Sequence, residues 1–252
     1  MPAARKTLFL KNPHSVEAAL TTRPTDVLQV RVNLRTASDP WKRVATRAAQ
    51  VNVSVTIPES GSSSSRADHA GRQGGAEASV REKEDVSLEQ LFAGEKTGCG
   101  VWLALDCLQD PHNVGAIFRS AAFFGVRGIV FTRDRSAPIS GTVYDTAAGG
   151  LEAVPFAVVA NLAQALTAAK DAGVWVLGTS EHASQDLTAI PRDRDWLIVV
   201  GNEETGLRRL TIERCDELCR IAPGTGATAG LVTSLNVATA TAIVIAALTG
   251  PA

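Results

Sequence analysis

The chain has few of the residues that would assign it early to a secreted or metal-binding class. Its 252 residues include four cysteines, four histidines, one methionine and one tyrosine. The cysteines form neither a C-x-x-C pair nor the ladder that is typical of disulfide-rich secreted domains. Cys215 and Cys219 are four residues apart, but no histidine lies near them to complete a zinc site. We therefore predict structural thiols and no metal site.

Long apolar runs are also missing. No run of about 18 apolar residues precedes the last predicted helix, and that helix is interrupted by Asn236, Thr239 and Thr241. It therefore predicts a buried helix of a globular protein and not a membrane span. The N-terminal segment MPAARKTLFLKNP lacks an apolar stretch that leads to a small-residue cleavage site, so we predict no signal peptide. We expect a cytoplasmic protein without membrane contact.

The net charge of −1 excludes a strongly basic coat over the whole molecule. The charge is divided unevenly, because residues 1–97 contain 14 Lys and Arg against 11 Asp and Glu, which leaves 11 against 15 in the rest. This small basic excess at the N-terminal end would suit contacts with phosphate.

The N-terminal part predicts a small α/β unit. Its periodicity indicates a helix over Pro13–Leu20, a strand over Val27–Val32, a helix over Trp41–Gln50 and a strand over Val51–Ile57. The Ser- and Gly-rich residues 59–77 then predict a mobile loop. Ala78–Val80 predicts a last short strand, and Ser87–Phe92 a connecting helix.

From Gly98 onward the pattern alternates between strands and helices. This alternation is typical of an α/β fold with a mostly parallel sheet covered by helices on both faces. The strands are predicted at Val101–Leu105, Ile129–Thr132, Val154–Val159, Val174–Gly178, Leu197–Val200 and Leu218–Ile221, with a helix over Asn161–Asp171. No G-x-G-x-x-G follows the first of these strands, which argues against a nicotinamide-dependent enzyme.

Three sequence blocks in this region each join an apolar segment to a group of polar residues. The first, LDCLQDPHNVGAIFRSAAFFG, runs from Leu105 to Gly125, and the second, WLIVVGNEETGL, runs from Trp196 to Leu207. The third, SLNVATATAIVIAAL, begins at Ser234. Open α/β sheets bind their ligands where strands end in this way. We therefore expect the three blocks to meet in one site.

Together the blocks resemble the SpoU (TrmH) family of RNA ribose methyltransferases. The family pattern is N-x-G-x-x-x-R-x-A, then a strand that ends in G-x-E-x-x-G, then S-L-N-V at a helix start. The matching residues here are Asn113, Gly115, Arg119 and Ala121, then Gly201, Glu203 and Gly206, then Ser234, Leu235, Asn236 and Val237. The resemblance implies S-adenosyl-L-methionine as the methyl donor, a deep trefoil knot at the C-terminus and a homodimer.

The N-terminal part is similar to the ribosomal-protein-L30-like RNA-binding domain that one SpoU subgroup carries. Asn12 to Ala18 match its opening helix, and residues 71–74 match its H-Q-G loop with Arg72 in place of the histidine. This likeness implies an L30e-like domain over residues 1–85, a linker over 86–97 and the catalytic domain over 98–252. The alternative is a small module for dimerisation or packing.

By resemblance, Arg119 lies at the target 2′-hydroxyl. A guanidinium is essentially always protonated, so we expect it to hold a phosphate or stabilise the alkoxide and not to act as a base. The alternative interpretation is that Arg119 is an ordinary surface residue or part of a salt bridge. His112 is a further candidate base, although a lone loop histidine is more often structural.

Four other residues are predicted to share the catalytic site. Asn113 bonds the substrate in the family interpretation, or caps its helix. Glu203 orients Arg119 or Asn236, or stabilises a helix start, and Glu204 competes with it for this role. Ser234 suits an N-cap, and the family uses Ser234 and Asn236 around the methyl-transfer site.

The resemblance assigns cofactor contacts mainly to the backbone, at Thr179, Gly201, Ile221 and Leu235. Residues 222–233 form a loop about five residues longer than in the closest subgroup, which leaves its cofactor contacts open.

The leading hypothesis is therefore methylation of a ribose 2′-hydroxyl in structured RNA, with a guanosine of large-subunit ribosomal RNA as the expected target. Transfer RNA and resistance-type ribosomal targets are the alternatives within the class. A non-catalytic RNA-binding or ribosome-assembly protein is the alternative outside it.

Overall fold

The computed structural model of the protein describes residues 5–58, 75–93, 99–224, 232 and 234–250. Within these ranges the chain forms two β-sheets, a smaller one from residues 7–81 and a larger one from residues 101–220. None of the helices in the described part of the chain is long and apolar enough to cross a membrane.

The smaller sheet has four strands in the order β1-β4-β2-β3 within the described ranges. Strands β1 and β2 run antiparallel to β4, and β3 runs parallel to β2. The elements of this part are β1 (Thr7–Leu10), α1 (Pro13–Thr22), β2 (Val27–Arg31), α2 (Asp39–Gln50), β3 (Val55–Thr56), β4 (Glu77–Arg81) and α3 (Leu88–Phe92).

The larger sheet has the order β7-β6-β5-β10-β8-β11-β9, and every neighbouring pair is parallel. Its strands are β5 (Val101–Leu105), β6 (Gly128–Thr132), β7 (Phe156–Val159), β8 (Trp175–Thr179), β9 (Gln185–Asp186), β10 (Trp196–Val200) and β11 (Glu217–Arg220). The helices are α4 (Pro111–Phe123), α5 (Gly141–Ala147), α6 (Gly150–Ala153), α7 (Leu162–Asp171), α8 (Arg209–Ile212) and α9 (Val237–Thr249).

Side chains alternate between two hydrophobic clusters along the central strands. In β5, Leu103 and Leu105 enter one cluster, while Trp102 and Ala104 enter the other. Successive side chains of a strand point to opposite faces of the sheet, so both faces of this strand are buried. The predicted α/β fold with a mostly parallel, doubly covered sheet is confirmed.

The smaller sheet packs directly on the larger unit. Strand β1 contacts α5, and α1 contacts both α5 and α6. One hydrophobic cluster runs through both parts, from Leu10 and Val16 to Tyr144 and Leu151. The boundaries at residues 85 and 98 stay a prediction.

Several predicted boundaries were wrong for local reasons. The strand predicted over 51–57 is reduced to β3, because Val51 is the C-cap of α2 and Asn52 takes a left-handed φ of 59° in the turn that follows. The strand predicted from Val154 starts at Phe156, because α6 ends at Ala153. Strand β1, helix α5 and strand β9 were not predicted. Most of the Ser- and Gly-rich stretch, residues 59–74, lies outside the described residues.

Candidate active site

The candidate site lies at the carboxyl ends of the central parallel strands. Asp106 follows β5, Gly201 follows β10 and Ile221 follows β11, while Thr179 is the last residue of β8. These four strands, β5, β10, β8 and β11, lie side by side in the sheet, and β9 lies beyond β11 at its edge. This is the edge where open α/β sheets bind ligands.

Three predicted residues form one hydrogen-bonded chain above this edge. The Nδ2 of Asn236 donates to the Oδ1 of Asn113 at 2.9 Å. The Nδ2 of Asn113 donates to the Oε1 of Glu203 at 3.2 Å. Each residue comes from a different sequence block, so the fold brings together all three blocks at one point.

Asn113 is available for this chain because another residue caps its helix. Asp110 is the N-cap of α4, and its Oδ1 accepts from the backbone N of His112 at 2.8 Å. Pro111 follows as the first helical residue, where its missing N–H costs nothing. The interpretation of Asn113 as the helix cap was therefore wrong, and its amide points to Glu203 and Asn236.

Asn236 has two functions at the start of α9. Its Oδ1 accepts from the backbone N of Ala238 at 2.9 Å and of Thr239 at 3.2 Å. Because Oδ1 is fixed by the helix, the amide nitrogen is fixed in the opposite direction, toward Asn113. Ser234 was predicted as the N-cap of this helix, and that prediction was wrong. It lies two residues earlier and is exposed, with no side-chain hydrogen bond to a described residue.

A tight turn after β10 holds Glu203. Asn202 and Gly206 exchange two backbone hydrogen bonds of 3.2 and 2.9 Å. The Oδ1 of Asn202 also accepts from the backbone N of Glu204 and of Thr205, at 3.0 and 3.1 Å. The carboxylate of Glu203 accepts a hydrogen bond from the side-chain amide of Asn113. The carboxylate of Glu204 makes no hydrogen bond or ion pair with any part of the chain that the structure describes. The geometry therefore favours Glu203 over Glu204.

Gly201 is required by the close approach of this turn. A Cβ atom on Gly201 would lie 2.3 Å from the carbonyl carbon of Gly206 and 2.5 Å from the backbone N of Leu207. Both contacts are with backbone, which cannot move aside as a flexible side chain can. A glycine at the end of β10 therefore allows the chain to turn back on itself.

Arg119 stands apart from the hydrogen-bonded chain. It is exposed on α4, six residues after Asn113, and its guanidinium makes no hydrogen bond or ion pair with another described residue. The salt-bridged interpretation of Arg119 therefore finds no partner among those residues. The structure places a solvent-exposed cation on the helix that carries Asn113.

The predicted cofactor residues present backbone groups and apolar surface. Gly201 is buried and Ile221 is half-buried, and within the described ranges neither backbone makes a hydrogen bond. Buried backbone groups are nearly always paired in proteins, so free groups at two strand ends suit a polar ligand. Leu235 is 47% exposed. The hydroxyl of Thr179 instead donates a hydrogen bond from Oγ1 to the carbonyl oxygen of Val199 at 3.0 Å.

The predicted cofactor residues fit S-adenosylmethionine. The edges of its adenine and ribose can form hydrogen bonds with backbone groups, and a leucine can pack against its apolar face. Most of the long loop predicted over 222–233, namely residues 225–231 and 233, lies outside the described residues. The effect of its length on the cofactor stays a prediction.

An ion pair between a buried carboxylate and an exposed arginine beside the site was not predicted. The carboxylate of Asp106 is buried and accepts two bonds from Arg208, at 3.0 Å from Nε and 2.7 Å from Nη2, and one from Thr211 Oγ1 at 3.3 Å. The hydrogen bonds with Asp106 raise the pKa of Arg208. Arg208 follows the turn that carries Glu203, so the pair anchors that turn to the end of β5. An acidic residue directly after an apolar strand was the available signal.

His112 and the cysteines take no part in this chain of bonds. His112 is exposed, and its Nδ1 lies 3.3 Å from the Oγ1 of Thr146. Burial raises the pKa of Cys215 to about 11 and that of Cys219 to about 12. Among the residues whose positions are described, no three His, Cys, Asp or Glu side chains are grouped to hold a metal ion.

Comparison with known proteins identifies relatives of this chain. The model of the SpoU rRNA Methylase family matches residues 100–246. The chain is 32% identical over 237 residues to the 23S rRNA (guanosine-2'-O-)-methyltransferase RlmB of Vibrio vulnificus, covering 93% of each protein. It is 33% identical to the protein of the same name from Neisseria meningitidis, covering 92% of this chain and 90% of that one.

Solved structures also share the fold. The SpoU methyltransferase AviRb from Streptomyces viridochromogenes, in complex with the cofactor AdoMet, superposes with a TM-score of 0.75 at 19% identity. The superposition covers 96% of this chain and 89% of that one. The family match covers more than half of the chain and contains the first two sequence blocks and all but the last two residues of the third, so the protein belongs to the SpoU rRNA methylase family.

Proposed function

We propose that the protein is an S-adenosylmethionine-dependent RNA 2′-O-ribose methyltransferase that acts on a guanosine of large-subunit ribosomal RNA. The observation that carries this proposal is the hydrogen-bonded chain Asn236–Asn113–Glu203 at the carboxyl edge of the parallel sheet. The names of the relatives from Vibrio and Neisseria support guanosine and ribosomal RNA as the target.

S-adenosylmethionine would supply a methyl group that is already activated by its positively charged sulfur. The protein then has to orient the ribose 2′-hydroxyl and stabilise the negative charge that develops on its oxygen. Arg119 suits this second task, because its guanidinium is exposed and has no competing carboxylate among the described residues. We assign it to the alkoxide or to the neighbouring phosphate, and not to proton removal.

Asn113, Glu203 and Asn236 would orient the substrate. Each amide is fixed at one end by a protein partner, because Asn236 caps α9 and Asn113 donates to Glu203. Side chains that are locked in this way lose little freedom when a ligand binds. We assign to them, together with Ser234, the hydrogen bonds around the reacting ribose.

The cofactor would be held at the ends of β8, β10 and β11. Gly201 and Ile221 would offer backbone groups, Leu235 an apolar contact and Thr179 the edge of the pocket. We also propose the deep trefoil knot that this family fold implies. The contact between α9 and the 3-10 turn Leu187–Ala189, which lies between β8 and β10, supports that proposal.

We further propose a homodimer in the cytoplasm, with residues 1–85 as an L30e-like RNA-binding domain, 86–97 as a linker and 98–252 as the catalytic domain. The separate four-stranded sheet formed by residues 7–81 supports the first of these boundaries. A dimer would allow Arg119 of one protomer to serve the site of its partner.

The test is transfer of a labelled methyl group from S-adenosylmethionine to transcripts of large-subunit ribosomal RNA and of transfer RNA. We expect transfer to the ribosomal transcript, and a loss of about 10²–10³ in kcat for Arg119→Ala, as for removal of one charge-stabilising donor. Arg209→Ala is the matched control, because Arg209 is 88% exposed and pairs with Glu213 one helical turn away. Methylation of transfer RNA alone would contradict the ribosomal target, and full activity of Arg119→Ala would contradict the assigned role.

A further inference from the structure

A second cleft opens beside the candidate active site, where the smaller sheet meets the larger unit. It has a volume of about 600 Å³ and is lined by residues that include Lys11, Asn12, His112, Thr142, Asp145 and Thr146. The cleft is shallow and open to solvent, so it is a surface groove and not an enclosed ligand pocket. His112 directly precedes Asn113, so the cleft adjoins the Asn236–Asn113–Glu203 chain.

A carboxylate of the larger unit bonds the residues that follow β1 on the other wall of the cleft. Asp145 accepts from the backbone N of Lys11 at 3.0 and 2.9 Å and from the backbone N of Asn12 at 2.9 Å. The Nδ2 of Asn12 donates to the carbonyl of Asp145 at 2.7 Å. These bonds use the backbone of Lys11, so its ammonium group stays available at the cleft.

The two walls also approach closely through backbone. Gly141, the first residue of α5, would place a Cβ atom 2.7 Å from the carbonyl oxygen of Phe9 in β1. Only glycine allows this contact, which brings β1 against α5 next to Lys11. The cleft is therefore formed by two packed elements in a fixed relation, and it does not depend on an induced rearrangement.

The available groups in the cleft are those that bind a nucleotide. Lys11 offers a cation for a phosphate, His112 offers a ring face for an unstacked base, and Thr142 offers a hydroxyl. The negative charge of Asp145 is already engaged by three N–H bonds from the opposite wall. Asp145 is half-buried and itself lines the cleft, where burial raises the pKa of its carboxyl and the nearby charge of Lys11 opposes that rise. The N–H bonds and this cation offset part of the repulsion between Asp145 and a phosphate.

We propose that this cleft binds an unpaired nucleotide of the substrate RNA next to the nucleotide that is methylated, with Lys11 on its phosphate and His112 against its base. The inference rests on the proposed function and adds to it a second contact point, which helps to choose the target. It also gives His112 a role in binding and not in proton transfer.

The first experiment measures RNA binding in the absence of S-adenosylmethionine, by fluorescence anisotropy of a labelled ribosomal RNA fragment. We expect His112→Ala to raise Kd roughly fivefold or more, which is the lower end of the loss of one base stack. We expect Lys11→Ala to weaken binding and to reduce the slope of log Kd against log salt by about one unit. Lys6→Ala is the matched control, because Lys6 is exposed on the same segment but does not line the cleft.

The second experiment replaces each nucleotide that flanks the methylated one with an abasic residue, in turn. One of these replacements should weaken binding by the wild-type protein and have no further effect on His112→Ala, because the two changes remove the same contact. In methyl transfer, His112→Ala should raise KM for RNA and leave kcat within about threefold.

Three outcomes would overturn the proposal. They are unchanged Kd for both variants, additive losses for His112→Ala with every abasic RNA, or a fall in kcat with KM unchanged. Failure of the proposed function has a different signature, because the wild-type protein would then bind RNA without transferring a methyl group. The anisotropy measurement still decides the question of the cleft in that case.

Discussion

Replacement of Arg23 by methionine tests how firmly the smaller sheet is held on the larger unit. Arg23 ends α1, and its guanidinium bonds Glu152 in α6 at 2.8 Å from Nε and 2.7 Å from Nη2. The side chain of Glu152 is 1% exposed and that of Arg23 is 13% exposed. Removal of the arginine leaves a fully buried carboxylate without its cation.

The expected cost follows from that burial. Loss of one partner of a buried pair costs about 3–5 kcal/mol, because the remaining charge is neither hydrated nor paired. We take the lower end, about 3 kcal/mol, since Thr22 Oγ1 lies 3.5 Å from the carboxylate and can compensate in part. At roughly 2–4 °C per kcal/mol for a chain of this size, Arg23→Met should lower Tm by about 6–12 °C.

The matched variant is Glu152→Gln, which removes the charge and keeps the shape. It should cost only about 1 kcal/mol, because Arg23 still bonds Asp26 at 3.3 Å and a glutamine oxygen remains as an acceptor. The double variant should be more stable than Arg23→Met alone, since it contains no unpaired buried charge. Urea unfolding, followed by the fluorescence of the four tryptophans, measures all three. A cost below 1 kcal/mol for Arg23→Met, or a double variant less stable than Arg23→Met, would refute this reasoning.

Three further predictions concern acid stability, thiol reactivity and the turn after β10. Burial acts to raise the pKa of Asp26, but hydrogen bonds from Arg5 and Arg23 outweigh it and lower the pKa below its usual value. The resulting stabilisation is complete above the pKa of an unfolded aspartate, about 3.9, and is lost as pH falls further. The urea midpoints of wild type and Asp26→Asn should therefore converge below about pH 4, and divergence there would contradict the sign. Cys99 is exposed, whereas burial raises the pKa of Cys219 to about 12. A thiol reagent at pH 8 should therefore label Cys99 first and Cys219 only on unfolding, and early labelling of Cys219 would contradict its burial. Gly201→Ala should cost about 1–3 kcal/mol through overpacking against backbone and weaken S-adenosylmethionine binding in calorimetry. Gly75→Ala, where nothing lies within 4 Å, should do neither, and equal effects of the two changes would contradict the account.

The sequence was sufficient for the elements whose signal is local. The strand Val101–Leu105 was predicted with its observed bounds, because it is a short apolar run between polar residues. Strand β1 was missed because its pairing depends on β4, about seventy residues later in the chain. A strand whose partner lies beyond a long polar segment has no local pattern that reveals the pair.

The helix starts at the site show a second limit on what the sequence could predict. Asp110 and Asn113 are both good capping residues, as are Ser234 and Asn236. The sequence could not decide between the members of either pair, because the choice depends on where the helix begins within one turn. The structure selects Asp110 and Asn236. This choice leaves Asn113 to bridge Glu203 and Asn236, and that bridge was predictable only as a meeting of three blocks.

Side-chain pairs between distant segments were the least predictable part of the site. Asp106 directly follows β5, but its bond to Arg208 joins residues 102 positions apart. Arg208 follows the Gly206 turn without any pattern of its own. Tertiary packing, and not spacing, brings this pair together.

The most direct test of the central claim is a nucleoside map of ribosomal RNA after incubation with the purified protein and S-adenosylmethionine. Mass spectrometry of nuclease fragments identifies both the modified nucleotide and the atom that carries the new methyl group. We predict one 2′-O-methylguanosine in the large-subunit RNA, whose rate of formation falls about 10²–10³-fold when Arg119→Ala replaces the wild-type protein. A methyl group on a base, or no methylation by a protein that binds both RNA and S-adenosylmethionine, would contradict the proposed function.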